Sequence, residues 1–480
     1  MNIKINPLIN RFFLLPEYIR ALVLTISIAG ISLVFWKYQR MMFLLSLSGV
    51  LVTTTAMLFD PFMLSLLLVL VSNATSMSYI LKFGQITVYP YEPIILTLII
   101  SLFLTFLIRG KKNFLMPWSP LHTATSIFLA FHLISAVIGF LRGYLGLGFR
   151  AELLRGPNYY WFFFLFSFLC ANYEGASEKL ARWWLLSSFV GSAIFVLAHI
   201  LQYTGAEVVE YATLFQWGFH IQVFVFSIGM TFLLGIMKNK KWWIVTFLQI
   251  AMLTYTRKRT PVMAAILMIA MLTFFYAFIL QGNRRWKFIR NSLIGAGIFA
   301  VFFKALSNLL FTQTQSMFAL ELISRFGVLM KPKSLLLIPS LQVRFFEYFD
   351  AFHILRDSGY LFGSGLGVSF LMFPSGTTYI IDGVFFMVLT KMGILGLLSF
   401  LGMFTVFACL CMQLIRNLDK IKSVFMKAFV INAFISIPVS LTIGLAISHL
   451  WSAGGTIIMT TLFMAVCAHL WKTLPKENAC

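Results

Sequence analysis

Long apolar stretches recur along this chain, and most of them are long enough to cross a bilayer as a helix. A spanning helix needs roughly 20 predominantly apolar residues. Fourteen stretches are candidates, or twelve to thirteen if Asp60-Pro61 bends one element instead of separating two. The candidates are 18–36, 41–59, 61–81, 92–109, 121–141, 158–172, 184–202, 215–236, 242–257, 261–281, 291–311, 381–414, 424–444 and 454–471. The pattern predicts an all-α protein, a polytopic transmembrane helical bundle of about 12–14 spans.

The composition fits a chain that lies mostly in lipid. Apolar residues make up 60% of the 480 residues, charged residues only 11%, and the mean hydropathy is +0.91. Soluble domains carry about 25% charged residues, so this chain lacks the charged coat that keeps a protein soluble in water. The composition therefore excludes an ordinary soluble domain and favours an integral membrane protein.

The excess of basic residues is distributed largely as membrane topology requires. Lys and Arg number 37 against 15 Asp and Glu, which gives a net charge of +22. Basic loops at Arg109–Lys112, Lys238–Lys241, Arg284–Arg290 and Arg416–Lys427 fall on one side of the predicted spans. The positive-inside rule makes that side cytoplasmic. Topology thus explains most of the charge, and no nucleic-acid partner is predicted.

A segment of nearly seventy residues interrupts the apolar pattern between 312 and 380. It divides the chain into a first transmembrane region at 1–311, the loop at 312–380, and a second transmembrane region at 381–480. A loop of this length is usually functional or disordered. Its mixture of Leu, Phe and Tyr with charged residues favours folded amphipathic helices. Counting spans places this large loop on the external side, opposite the basic loops.

Three basic groups on the external side depart from the charge rule. They are Arg142, Arg150 and Arg155 in one loop, Arg257-Lys258-Arg259 between two spans, and Arg344 in the large loop. Guanidinium groups bind phosphate through two parallel hydrogen bonds and stay charged, so a tight Arg-Lys-Arg run suits a phosphate or pyrophosphate. The alternative is snorkelling, in which long basic side chains reach lipid headgroups.

The second half of the large loop carries a denser pattern of chemically distinctive residues. Arg344 and Glu347 are three residues apart in an amphipathic run, and they are able to pair on one helix face. Gly363-x-Gly365-x-Gly367 follows, and alternating glycines let a backbone turn tightly or approach a ligand closely. Asp382 stands at the mouth of the next span, where it is either a helix N-cap or a catalytic base.

Taken in order, these motifs resemble the conserved core of the O-antigen ligase and polymerase superfamily. The matching residues are Thr256-Arg257-Lys258-Arg259-Thr260, Arg344-x-x-Glu347, Gly363-x-Gly365-x-Gly367, Asp382-Gly383 and Lys391-Met392-Gly393-Ile394-Leu395-Gly396. The resemblance covers the C-terminal half by motif and the rest only by hydropathy. It implies an inverting, metal-independent membrane glycosyltransferase that uses a sugar chain on undecaprenyl pyrophosphate and needs no cofactor.

The resemblance also implies roles for individual residues. Arg344 and either Arg257 or Arg259 correspond to the family's essential arginines, which would stabilise the pyrophosphate as it leaves the sugar. Asp382 would activate or orient the acceptor hydroxyl, and His353 is the second candidate for the base. Substrate contacts are further predicted for Arg150, Arg155, Lys258, Glu347, His353, Gly363 and Gly365. No Cys/His cluster has the spacing of metal ligands.

Two branches of this family, and one different class of protein, are compatible with the motifs. Ligases that resemble this pattern carry His where this chain has Asp382, so Asp382 favours a polymerase of lipid-linked repeat units over a ligase of finished glycan. A transporter or flippase of lipid-linked sugars is the third alternative, but no internal repeat is visible and so long an external loop is unusual for that task.

The polymerase interpretation implies partners and a location. The expected partners are an undecaprenyl-pyrophosphate-linked oligosaccharide, the lipid bilayer and a chain-length regulator protein. The expected location is the inner membrane of a bacterial cell. The active site would face the periplasm or the outside, because the large loop falls on the external side.

Overall fold

The structure, a computed structural model, is built almost wholly from helices. It describes residues 60–74, 81–83, 86–88, 91–109, 118–203, 224–255, 259–279, 286, 290, 339–371, 377–378, 380–445, 449–452 and 454–474. The predicted spans at 18–36, 41–59 and 291–311, and the loop residues 312–338, lie outside the described residues.

The first part of the described chain consists of helices with one small hairpin. In order the elements are α1 (Pro61–Ala74), β1 (Leu81–Phe83), β2 (Ile86–Val88), α2 (Tyr91–Arg109), α3 (Pro120–Leu141), α4 (Leu147–Leu154), a 3₁₀ helix (Gly156–Trp161), α5 (Phe162–Asn172), α6 (Ala176–Tyr203), α7 (Phe226–Met237), α8 (Trp242–Tyr255) and α9 (Arg259–Ile279). β1 and β2 pair antiparallel, with Leu81 opposite Val88. Because α1 ends at Ala74 and β1 begins at Leu81, this helix is shorter than the stretch predicted at 61–81.

The second part begins inside the predicted large loop. Its elements are α10 (Pro339–Ser358), β3 (Phe370–Leu371), β4 (Thr377–Thr378), α11 (Val384–Arg416), a second 3₁₀ helix (Leu418–Lys420), α12 (Val424–Gly444), α13 (His449–Ser452) and α14 (Gly454–Thr473). β3 and β4 pair antiparallel, with Phe370 opposite Thr378. α10 is the amphipathic helix that the composition of the loop predicts.

Several of the described helices are long and apolar enough to cross a membrane. The five that meet both conditions are Pro120–Leu141, Pro261–Phe278, Val384–Arg416, Val424–Gly444 and Gly454–Thr473. Shorter apolar helices accompany them at Pro61–Asn73, Tyr91–Leu107, Phe226–Met237 and Trp242–Leu253. The predicted fold class, an all-α polytopic membrane bundle, is thereby confirmed.

The core of the bundle forms where α11 packs along α3 and α14 packs along α5 and α6. Phe128 of α3 is fully buried, and its ring meets Tyr160 edge-on with the centroids 5.2 Å apart. Trp184 of α6 meets Phe463 of α14 edge-on with the centroids 4.7 Å apart. Apolar side chains such as Leu398 on the outer face of α11 are exposed, as lipid-facing positions of a membrane helix are.

The length of the 381–414 stretch and its Gly393-Ile394-Leu395-Gly396 run predict a break or a strong tilt, and α11 is broken at Gly393. Gly393 has φ 71° and ψ −171° inside an otherwise helical stretch of 33 residues. A backbone that leaves the helical conformation loses hydrogen-bond partners, and buried groups must find others. The break therefore creates a place on α11 where another segment of backbone can bind.

Side-chain hydrogen bonds bring several helix ends to one end of the bundle. Ser423 Oγ donates to Glu178 Oε1 at 2.9 Å, which ties the start of α12 to the start of α6. Trp471 Nε1 donates to Gln413 Oε1 at 2.5 Å, which ties the end of α14 to the end of α11. The basic segment Arg416–Lys427 lies at this end, and the start of α11 lies at the other.

Candidate functional site

Two of the predicted catalytic residues meet where α10 packs against the start of α11. Arg344 Nε donates to Asp382 Oδ2 at 3.0 Å, across 38 residues of sequence. Their side chains are 22% and 32% exposed, so the ion pair is open to the surroundings on one side. The pair joins the helix of the large loop to the mouth of the longest span.

The interpretation of Asp382 as a helix N-cap is wrong. The N-cap of α11 is Gly383, with φ 93° and ψ 104°, and no side chain caps the helix there. A Cβ at Gly383 would lie 2.9 Å from Tyr348 Oη, so this position requires glycine on steric as well as conformational grounds. Asp382, one residue earlier, is therefore free of a capping role and directs its carboxylate to Arg344.

Glu347 lies beside this ion pair, on the same helix as Arg344. Its side chain is buried, and its Oε2 accepts a hydrogen bond from the backbone N–H of Asp382 at 3.3 Å. Burial raises the pKa of Glu347; the hydrogen bond from Asp382 N–H and the charge of Arg344 oppose this rise, and the charge of Asp382 adds to it. Two carboxylates and one guanidinium thus form a single electrostatic unit, which we call the carboxylate–arginine cluster.

Tyr348 fixes the position of α10 relative to the spans. Its ring stacks on Phe386 of α11, with centroids 4.1 Å apart and an interplanar angle of 13°. Its hydroxyl donates to the carbonyl oxygen of Leu445, just after α12, at 3.1 Å. One aromatic residue therefore anchors the helix that carries Arg344 and Glu347 to two spans at once.

His353, the second candidate for the base, makes different contacts. Its ring meets Phe349 edge-on, with the centroids 4.5 Å apart, one helical turn away on α10. Six residues separate His353 from Glu347, which places the two side chains on different faces of the helix. The described contacts of His353 include neither Arg344 nor Asp382, so the structure does not bring it into the carboxylate–arginine cluster.

The outward arginines of the 142–157 segment have separate roles. Arg155 forms a two-point pair with Glu92, Nε to Oε1 at 2.6 Å and Nη2 to Oε2 at 3.2 Å. Arg142 donates to the backbone carbonyl oxygens of Ser358 and Ser364 at 2.8 and 3.2 Å. Arg150 is exposed on α4. Arg155 and Arg142 therefore each join separate elements of the protein, although Arg142, like Arg150, is exposed.

The glycine-rich turn of the large loop docks on the break in α11. Gly363, Gly365 and Gly367 all have positive φ, at 73°, 92° and 82°. The N–H of Ser364 donates to Thr390 O at 2.7 Å, and that of Gly365 donates to Lys391 O at 3.0 Å. The carbonyl groups that the break leaves without helical partners are thus satisfied by the turn.

The glycines themselves are required for close backbone approach. A Cβ at Gly365 would lie 2.4 Å from Gly139 N of α3, and one at Gly363 would lie 2.5 Å from Gly393 N. Atoms do not come this close without displacement. Gly363 and Gly365, predicted to contact substrate, therefore contact α3 and α11, and through them the turn holds the end of α10 against the bundle.

A buried ion pair lies next to this turn, and sequence reasoning did not assign it. Lys391 Nζ donates to Glu152 Oε1, and the two side chains are 0% and 4% exposed. Glu152 Oε2 also accepts from Gly367 N–H at 2.8 Å, and Oε1 accepts from Trp451 Nε1–H at 3.2 Å. The signal that could have revealed it is Lys391 itself, a charge within an apolar span, which requires a partner.

The third basic group falls largely outside the described residues. Arg257 and Lys258 are not described, and Arg259 opens α9 without a described side chain. Their relation to the carboxylate–arginine cluster stays a prediction. Over the described ranges, no group of three or more His, Cys, Asp or Glu side chains is arranged to hold a metal ion.

Comparison with known proteins leaves the geometry as the main guide to function. No family model and no curated protein matches this chain.

Proposed function

We propose that this protein polymerises lipid-linked oligosaccharide repeat units. The growing glycan would pass from undecaprenyl pyrophosphate to the non-reducing end of an incoming lipid-linked unit. The observation that carries the proposal is the ion pair between Arg344 and Asp382, with Glu347 buried beside it. A cation that can hold phosphate and a carboxylate that can accept a proton are the two groups that this reaction needs.

The transfer requires one bond to form and one to break. The acceptor hydroxyl oxygen bonds to C1 of the donor sugar, and the bond between C1 and the pyrophosphate oxygen breaks. The hydroxyl proton passes to a carboxylate, and the pyrophosphate leaves with additional negative charge. A fixed guanidinium stabilises that charge more in the transition state than in the ground state, which lowers the barrier.

Arg344 and Asp382 have complementary roles in this scheme. In the structure each neutralises the other, at 3.0 Å. A pyrophosphate that binds Arg344 would compete with Asp382 for the guanidinium and leave the carboxylate available to the acceptor hydroxyl. Burial raises the pKa of Glu347. Its carboxylate accepts a hydrogen bond from the backbone N–H of Asp382 and holds that residue in place. We assign proton acceptance to Asp382 and positioning to Glu347.

The proposed location follows from the same assignment. Lipid-linked repeat units that have crossed the inner membrane of a bacterium are available on its periplasmic side. The cluster lies at the end of α11 opposite the basic segment Arg416–Lys427, which the positive-inside rule assigns to the cytoplasm. The proposed active site therefore faces the periplasm.

The test is polymerisation by the purified protein in liposomes, with lipid-linked repeat units as the sole glycan substrate. We expect a ladder of products from the wild type and loss of the ladder in Asp382→Asn and Arg344→Ala. Asp357→Asn is the matched control, because Asp357 lies on the same helix and its side chain is 71% exposed. This variant should keep the ladder.

Three results would overturn the proposal in different ways. An unchanged ladder in both cluster variants would remove the cluster from the chemistry. Absence of any ladder from well-folded wild type, with transfer only after a different acceptor is added, would indicate a ligase. Absence of transfer together with movement of the intact lipid-linked unit across the bilayer would indicate a transporter.

A further inference from the structure

α10 presents a row of aromatic side chains to its surroundings. Phe345, Phe346, Phe349 and Phe352 are 59%, 54%, 66% and 56% exposed, and we call these four residues the aromatic face. Spacings of four and three residues place Phe345, Phe349 and Phe352 in one stripe along the helix. A contiguous exposed apolar surface of this kind marks a site that contacts another protein or a membrane.

The opposite side of the same helix holds the contacts of Arg344 and Glu347. Arg344 pairs with Asp382, and Glu347 is buried against the backbone of that residue. Leu355 completes the buried side near the end of the helix. α10 thus turns Arg344 and Glu347 toward the bundle and its four phenylalanine rings away from it, while the Arg356–Asp357 ion pair at its end is exposed. A helix that faces water has the reverse arrangement, with its polar side outward.

The aromatic face continues onto the outer surface of a membrane span. Phe352 meets Tyr360 edge-on with the ring centroids 6.5 Å apart. The carbonyl oxygen of Tyr360 accepts from Ile394 N–H of α11 at 2.9 Å. Ile394 and Leu398 are exposed on that span, as are Leu361 and Phe362 in the turn between the two helices. One apolar surface therefore runs from α10 to the side of a helix that crosses the bilayer.

We propose that α10 lies in the membrane interface, with its aromatic face among the acyl chains of the surrounding phospholipid. The continuity with the lipid-facing side of α11 is the reason for assigning this occupant. Amphipathic helices bind membranes in this orientation, with the apolar side buried at the boundary between headgroups and acyl chains. The inference goes beyond the proposed function and does not depend on it.

Arg356 supports this orientation. It follows Phe352 by one turn, continues the aromatic stripe and is 60% exposed, and its Nε donates to Asp357 Oδ1 at 3.3 Å. An arginine at the end of an apolar stripe can extend its guanidinium to headgroup phosphates while its aliphatic stem stays in apolar surroundings. The stripe would thus pass from acyl chains to headgroups along the helix, with Arg356 at the polar end.

The experiment measures how accessible single positions of α10 are to two collision reagents, one that concentrates in lipid and one that stays in water. A nitroxide is attached to Phe349→Cys, Phe352→Cys or Asp357→Cys in a Cys409→Ala/Cys480→Ala background, since Cys170, Cys411 and Cys467 are buried. The full chain is reconstituted in phosphatidylcholine–phosphatidylglycerol vesicles without glycan substrate. Collision rates are measured with oxygen, which concentrates in lipid, and with a water-soluble nickel chelate.

We expect labels at Phe349 and Phe352 to collide more often with oxygen than with nickel, and the label at Asp357 to show the opposite preference. Phe345→Cys is a further position on the stripe and should behave like Phe349→Cys. Nickel preference at all of these positions would mean that the aromatic face lies in water, and would overturn the proposal. Shielding from both reagents would overturn it equally, because another segment of the chain or a second copy would then cover the face.

Discussion

At the scale of single residues, Asp382 is where the contacts of the candidate site converge. Its carboxylate accepts from Arg344 at 3.0 Å, and its backbone N–H donates to Glu347 at 3.3 Å. Burial and the negative charge of Asp382 disfavour the ionised form of the Glu347 carboxylate. The hydrogen bond from Asp382 N–H and the charge of Arg344 offset this effect only in part, so the pKa of Glu347 is raised. The three side chains therefore form one coupled unit.

The raised pKa of Glu347 predicts a pH dependence of stability. The folded protein binds a proton at Glu347 more tightly than the unfolded chain, whose carboxyl group titrates near 4.5. The stabilisation from this group is fully present below that pH and is lost as the pH rises through the folded-state pKa. Relative to Glu347→Gln, which has no such proton, the wild type should lose thermal stability as the pH rises above 4.5.

The measurement is the midpoint of thermal unfolding in detergent for both proteins across a pH series. A difference between the two midpoints that stays constant with pH would contradict the effect of burial on Glu347. A difference that grows in the opposite direction would show that the folded state favours the ionised carboxylate.

The guanidinium of Arg344 predicts a second result. Arg344→Lys keeps a positive charge beside Asp382 but loses the planar group that binds phosphate at two points. Loss of one donor that stabilises transition-state charge lowers the rate of comparable enzymes by roughly a hundredfold, and we expect a similar loss of polymerisation rate here. The rate is measured in the liposome assay.

Arg182→Lys is the matched control for this prediction. Arg182 also pairs with a carboxylate, that of Glu178 at 2.7 Å, but at the end of the bundle where the basic segment Arg416–Lys427 lies. The control should polymerise at the wild-type rate. Equal rates for both lysine variants and the wild type would show that the charge of Arg344, and not its shape, is what matters.

At the scale of elements, the broken helix and the glycine-rich turn depend on each other. α11 departs from helical geometry at Gly393, and Ser364 and Gly365 donate hydrogen bonds to the carbonyls of Thr390 and Lys391. Each element supplies hydrogen-bond partners to the other, because an isolated break would leave polar backbone groups unpaired in an apolar bundle. The turn also ends the segment that begins with α10, so the break fixes the far end of the helix that carries Arg344.

Two alanine substitutions, one in this turn and one just after α3, separate the steric from the conformational effect at Gly363. Gly363 has φ 73°, and a Cβ there would lie 2.5 Å from Gly393 N. Gly143 has φ 78°, and a Cβ there would meet nothing within 4 Å. A left-handed alanine costs roughly 1–2 kcal/mol, and a buried overlap adds about 1–3 kcal/mol. Gly363→Ala should therefore be clearly less stable than Gly143→Ala.

The free energies of unfolding in detergent, measured with a denaturant, distinguish the two variants. Equal losses would mean that only backbone conformation matters at Gly363. In that case the turn and the broken helix would accommodate the added Cβ without a further loss of stability.

At the scale of the whole molecule, charged groups lie at both ends of the bundle and in its interior. The segment Arg416–Lys427 lies at one end and the carboxylate–arginine cluster at the other. Between these two ends Lys391 and Glu152 form a buried ion pair. The Glu152 carboxylate also accepts hydrogen bonds from Gly367 N–H and from Trp451 Nε1–H. This pair joins α4, α11, α13 and the glycine-rich turn, so four separate parts of the chain meet on one carboxylate.

The buried ion pair predicts that removing the charge of Lys391 alone destabilises the protein more than removing both charges. Lys391→Met leaves the Glu152 carboxylate without its cation, and removing one partner of a buried pair costs about 3–5 kcal/mol. Lys391→Met/Glu152→Gln removes the charge as well, and the amide oxygen can still accept from Gly367 or Trp451. The double variant should regain most of the stability, as measured by denaturant unfolding in detergent. A double variant as unstable as Lys391→Met would show that the lost lysine packing, and not the unpaired charge, is responsible.

Much of the fold and part of the site follow from local sequence. The lengths of the apolar runs predict membrane helices, and the Gly393-Ile394-Leu395-Gly396 run predicts a break or a strong tilt, of which α11 shows the break. Arg344 and Asp382 are both predicted site residues, and the structure brings them into contact, while their catalytic roles stay predictions. The N-cap interpretation of Asp382 is wrong, because Gly383 is the N-cap and α11 starts at Val384, one residue later than a cap at 382 would require.

The sequence alone determined that this chain is a helical membrane protein, because helix length and apolarity are local properties that the bilayer selects directly. Only the tertiary structure decided which charges neutralise each other. Arg155 pairs with Glu92 across 63 residues, and Lys391 pairs with Glu152 across 239. Electrostatic attraction depends on distance in space, and in an apolar interior a charge must be paired wherever the fold brings a partner. Hydropathy along the chain carries no information about that distance.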